Sequence, residues 1–119
     1  MKIAGLILRT ADLDRSVAFW IDAVGLTLKA RHGTFAFVDG GSVQLTLHEV
    51  DVNIADESLT ELVLEVDDID VAFDEMGSRG VEFEVEPRVV TSDGSMKLYA
   101  AHFHDPDGHV GSITAWRDS

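Results

Sequence analysis

At 119 residues, 45% of them hydrophobic, the chain is one domain with enough apolar material for an ordinary core. It has no cysteine, which excludes disulfides, thiolate metal sites and a cysteine nucleophile. A formal charge of −13, from 22 acidic against 9 basic residues and with no basic stripe to offset it, argues against a nucleic-acid partner.

The acidic surplus either draws a cationic ligand or is a solvated surface that keeps the protein soluble. No apolar run approaches the ~18 residues of a membrane span. The opening residues lead straight into a strand pattern rather than a cleavage site, so a cytoplasmic protein without membrane contact is expected.

Residues 3–9 alternate as a strand, with Ala4, Leu6 and Leu8 on one side and Ile3, Gly5, Ile7 and Arg9 on the other. Asp12 then caps a predicted α-helix. Its apolar positions Leu13, Val17, Trp20 and Val24 keep the spacing of one face, and Gly25 supplies the left-handed stop. Three short strands follow over 26–31, 34–39 and 42–48, with turns at His32-Gly33 and Gly40-Gly41. Residues 49–58 carry four acids without periodicity and read as a linker.

The second half repeats this order. A strand is expected over 59–66, and Asp68 caps a helix whose face holds Ile69, Ala72, Phe73 and Met76, with fraying at Gly77 before Gly80 ends it. Val81, Phe83 and Val85 alternate with three glutamates, and Pro87 confines that strand to an edge or makes it stop. Strands over 96–104 and 109–116 are joined by a tight turn at Asp105-Pro106-Asp107-Gly108.

The halves echo each other in detail. Leu6, Ile7, Leu8, Asp12, Leu13 and Asp14 recur 56 residues on as Leu62, Val63, Leu64, Asp68, Ile69 and Asp70. Asp39-Gly40 with Gln44, Leu45 and Thr46 recurs 68 residues on as Asp107-Gly108 with Ser112, Ile113 and Thr114. A unit that cannot bury its own apolar face is duplicated, so the copies pack on each other or on a second chain.

Alternation assigns Leu6, Leu8, Val43, Leu45, Leu47, Leu62, Leu64 and Ile113 to a core beneath the helices. The opposite faces hold Gln44, Thr46, His48, Glu61, Ser112 and Trp116. Tight hairpins add Phe35, Phe37, Tyr99 and Phe103 to them, unless a bulge reverses the parity. Such a mixed aromatic and polar wall is either a small-molecule cleft or a face packed against another sheet or subunit. By the same parity His102 and His104 fall on the helix side.

The duplicated strand-helix-three-strand unit, the stretch from Asp12 to Trp20 ahead of Val24-Gly25-Leu26, and the Asp105-Pro106-Asp107-Gly108-His109 hairpin together resemble the vicinal oxygen chelate superfamily of glyoxalases, extradiol dioxygenases and fosfomycin- and bleomycin-resistance proteins. The resemblance covers the whole chain. It implies an α+β fold of two tandem βαβββ modules, about 1–50 and 59–119, whose curved mixed sheets form half-barrels around a cup with the helices outside. It also implies a homodimer.

Metalloenzymes of that superfamily take one ligand from the first and one from the last strand of each half, positions that fall here on Gly5, Gln44, Glu61 and Ser112. Gly5 has no side chain and Ser112 is a poor neutral ligand, so no metal and no other cofactor is expected. The resemblance then points to a metal-free binder of an aromatic or cationic small molecule, of the antibiotic-resistance kind. Its ligand-binding residues are expected to be Phe35, Phe37, Gln44, His48, Glu61, Tyr99, Phe103, Ser112 and Trp116. Two other readings stand beside it: a glyoxalase- or dioxygenase-like enzyme with a displaced metal site using His48, His102 or His104, and an accessory module that docks another protein.

Overall fold

The computed structural model describes residues 3–51 and 60–118. Two compact units divide the chain: Met1–Glu57 together with Asp105–Asp107, and Ser58–His104 together with Gly108–Ser119. Each carries one four-stranded mixed sheet and one helical segment, which makes the architecture two tandem βαβββ modules. Residues 52–58 of the expected linker, and residue 59 of the expected strand after it, lie outside the described residues. Among the described residues no helix is long and apolar enough to cross a membrane.

In the first unit β1 (Gly5–Thr10), β2 (Thr27–His32), β3 (Phe35–Asp39) and β4 (Gln44–Glu49) form a sheet of order β1-β4-β3-β2, with β1 parallel to β4. Helix α1 (Leu13–Val17) packs on β3 and β4. Two of its first backbone donors are met by side chains. Asp12 accepts from Arg15 N at 3.1 Å, and Glu49 at the end of β4 accepts from Leu13 N at 2.7 Å.

The single α-helix expected up to Gly25 is corrected at Ala18, where the turns widen into a π-helix over Ala18–Val24. Gly25, at φ 104°, closes that segment, and both Gly25 and Leu26 donate to the Trp20 carbonyl. The wider turn keeps Trp20 and Val24 buried together, with Leu8, Leu13, Ala36, Val38, Leu45 and Leu47. Val43, expected in this core, precedes β4 and is exposed.

The Asp105–Asp107 segment of this unit anchors the helix start. Trp20 donates its indole N–H to Asp105 Oδ2 at 3.1 Å, and Asp107 Oδ1 accepts from Ala11 N at 3.1 Å and from Arg15 Nη2 at 2.8 Å.

In the second unit β5 (Glu61–Glu65), β6 (Phe83–Asp93), β7 (Met96–His104) and β8 (Val110–Asp118) form a sheet of order β5-β8-β7-β6, with β5 parallel to β8. Helix α2 (Ile69–Ser78) covers β6, β7 and β8. Asp68 caps it by accepting from Asp70 N and Val71 N, and the helix runs unbroken past Gly77. Strand β6 does not stop at Pro87. The proline sits on an edge strand where the pairing with β7 slips between Val85 and Arg88, so its missing N–H removes no ladder bond.

Phe103 is fully buried and meets Phe83 edge-on at 5.5 Å. Its ring lies over Gly111 so closely that a Cβ there would come within 2.5 Å. Ile69, Met76, Ala101, Ile113 and Ala115 complete this core.

Candidate functional site

Because residues paired across a ladder share a face, register decides which side chains meet. On the first sheet Phe35 pairs with His48, Phe37 with Thr46, Ile7 with Thr46, and Gly5 with Gln44. The expected set Phe35, Phe37, Gln44 and His48 therefore shares the face turned away from the helix. Phe35 stacks on the His48 ring with centroids 4.1 Å apart and planes within 4°, and on Phe37 at 6.2 Å and 2°. His32 extends the row at 6.1 Å from Phe37. Three half-buried rings thus form a stacked row along the sheet. Beside them Gln44 Nε2 reaches Thr46 Oγ1 at 3.4 Å.

On the second sheet the tight-turn expectation fails. Five residues, Asp105 to His109, separate β7 from β8, and the extra one shifts the register so that His102 pairs with Ser112, Ala100 with Thr114 and Leu98 with Trp116. Tyr99 and Phe103 move to the helix side, and His102 moves to the face of Glu61, Ser112 and Trp116. Phe103 is core. Tyr99 lies under the Arg117 guanidinium, 4.7 Å from its ring centroid. Arg117 is held at 2.6 Å by Asp70 of α2, a hydrogen bond that raises the guanidinium above its ordinary pKa. Trp116 keeps its expected face and is 44% exposed.

The shifted register assembles a polar group that the sequence did not disclose. Ser112, fully buried, donates from Oγ to Glu61 Oε2 at 2.8 Å. His102 Nε2 faces Glu61 Oε1 at 3.4 Å. On the other side of that ring Arg88 Nη1, from β6, donates to the Ala100 carbonyl at 2.8 Å and to His102 Nδ1 at 2.9 Å. A guanidinium has no acceptor, so Nδ1 supplies the lone pair and the neutral imidazole carries its proton on Nε2, toward Glu61. His104, further along β7, is tied to Glu84. The signal that would have found His102 is loop length, and a Pro-Asp-Gly turn is compatible with either four or five residues.

The four positions where superfamily metalloenzymes hold their ion do not fit one here. In the first unit, a Cβ at Gly5 would sit 2.6 Å from the Gln44 carbonyl oxygen, so the backbones leave no room for any ligand side chain. That pair is left with one neutral amide. In the second unit the Ser112 proton is committed to Glu61, and both Glu61 oxygens already face donors. Neither one neutral amide nor one engaged carboxylate supplies the three or four donors a tightly held transition metal takes.

A family model described as the Glyoxalase/Bleomycin resistance protein/Dioxygenase superfamily matches residues 2–111. The uncharacterized protein YraH of Bacillus subtilis (strain 168) is 26% identical over 95% of this chain and 97% of its own. A glyoxalase/bleomycin resistance protein/dioxygenase from Alicyclobacillus acidocaldarius superposes with a TM-score of 0.80 at 18% identity, covering 98% of this chain and 92% of that one. Another, from Nocardioides, has a TM-score of 0.72 at 27% identity, covering 98% and 83%.

Proposed function

The chain belongs to the glyoxalase/bleomycin resistance protein/dioxygenase superfamily, and from that premise we propose that it is a metal-free member that binds a small aromatic or cationic molecule rather than transforming one. The observation that carries this reading is at Gly5, where the approach of β1 to the Gln44 backbone closes the first ligand position to every side chain. Without a cation, the carbonyl polarisation and hydroxide generation of the metalloenzymes have no source in this donor set. What remains suits binding. The first unit offers the row of Phe35, Phe37 and His48 for stacking, and the second offers the Glu61 carboxylate and the exposed Trp116.

Sequestration of an antibiotic-type ligand is the role this reading gives the protein. It includes a homodimer, because each sheet ends in two edge strands, β1 and β2 or β5 and β6, that a second copy would cover. Light scattering on purified protein measures the oligomeric state directly.

The test of function is a titration with ethidium, a planar aromatic cation, read by its own fluorescence and by quenching of Trp116, with Trp116→Phe as the control. Saturable binding to protein freed of metal supports the proposal. Turnover that appears only on adding a transition metal refutes it.

A further inference from the structure

The group around Glu61 has a feature that simple loss of a metal site does not require: its histidine is turned the wrong way for a metal. Imidazole ligates through a bare nitrogen. Here Arg88 occupies Nδ1 at 2.9 Å, which leaves the proton on Nε2, the nitrogen that faces Glu61. An ion taking His102 as a ligand beside Glu61 would have to expel that proton or break the Arg88 contact. Arg88 is itself fixed, since Nη1 also donates to the Ala100 carbonyl across the β6–β7 ladder.

The same arrangement suits a different guest. Glu61 receives one contact on each oxygen, from Ser112 and from His102, which holds the carboxylate in place and still leaves lone pairs free. Its side chain is 39% exposed. Glu65 lies on the same face of β5, beyond the exposed Val63, and Glu84 lies near His104. A fixed carboxylate with the exposed Val63 side chain next to it on the same strand face accepts a protonated amine carrying a hydrocarbon body.

We infer that Arg88 and His102 are positioning residues that hold Glu61 as the acceptor for a primary ammonium group, so that the second unit selects organic amines over metal ions. This inference rests on the binding function proposed above.

The experiment compares benzylammonium with benzyl alcohol, a neutral probe of similar shape, by NMR titration with the Glu61 carboxylate carbon as reporter. Benzylammonium is expected to bind at least about tenfold tighter and to shift that carbon. Glu61→Gln removes the preference. His102→Leu and the exposed-site variant Arg88→Met each remove most of it, while His102→Gln, whose amide N–H can replace Nε2–H, retains it. Independently of any ligand, 15N spectra should show His102 Nδ1 as the unprotonated nitrogen, and Arg88→Met should mix the tautomers.

Equal affinity for the two probes, a preference that survives His102→Leu, or saturable zinc binding that shifts both Glu61 and His102 overturns the inference. If ethidium binds while benzylammonium does not, the inference fails and the binding function stands. If neither binds, both fail.

Discussion

Trp20 and Asp105 are 85 residues apart in the chain, yet the indole N–H of one donates to the carboxylate of the other at 3.1 Å with both side chains buried. The π-helix aims the ring, and the turn after β7 supplies the acceptor. Asp105→Ala removes this acceptor from a buried indole N–H, and is expected to cost about 2 kcal/mol in urea unfolding. In a double-mutant cycle with Trp20→Phe the two changes should couple by about 1 kcal/mol. Additive losses would mean that the contact contributes nothing of its own.

Gly111 is held by the ring above it. Gly111→Ala drives a methyl into Phe103, and overpacking of this kind costs about 1–3 kcal/mol. Combining it with Phe103→Leu should recover part of that loss, measured as the urea midpoint relative to each single variant. Gly5→Ala meets backbone instead of a side chain, so no second-site truncation should rescue it.

The two helix caps should respond unequally. Asp68 serves both Asp70 N and Val71 N, and Asp68→Ala is expected to cost about 1 kcal/mol. Asp12→Ala should cost less in the same denaturation assay, because Glu49 and Asp107 serve the neighbouring donors Leu13 N and Ala11 N.

Removal of metal should change nothing. Protein dialysed against a chelator is expected to keep its urea midpoint and its ethidium affinity, and elemental analysis before dialysis should find less than one transition-metal ion per chain. A midpoint that falls on chelation and returns with zinc, with zinc-dependent NMR shifts at Gln44 and Glu61, would contradict the donor count at Gly5, Gln44, Glu61 and Ser112.

Stacking in the first unit is tested at Phe35, which lies between His48 and Phe37. Phe35→Ala should weaken ethidium binding by about tenfold. Leu28→Ala, on β2, should leave the affinity alone while lowering stability.

The repeat made most of this fold legible. Leu6 to Asp14 and Leu62 to Asp70 each run from strand into capped helix, because a short aspartate before an apolar periodic stretch leaves the backbone few other options. The first sheet's face was also readable, since the connection Gly40–Val43, four residues where two were expected, is still even in length and keeps Phe35 and Phe37 in step with Gln44. Parity on β7 was not. One residue more in the loop exchanges every side chain between the faces, and so Tyr99 and Phe103 went to the core while His102 came out to Glu61. The widening at Ala18 was hidden too, a local preference yielding to packing that no single residue announces, whereas the edge position that Pro87 allows its strand is where β6 lies.

The turn Asp105–Asp107 clusters with the first unit although the strands it joins belong to the second. An amino-terminal fragment ending at residue 58 would therefore lack the acceptors that Trp20, Ala11 and Arg15 use. Cutting the protein at its midpoint would sever all three contacts, so the first repeat is completed by a turn that the second repeat encodes.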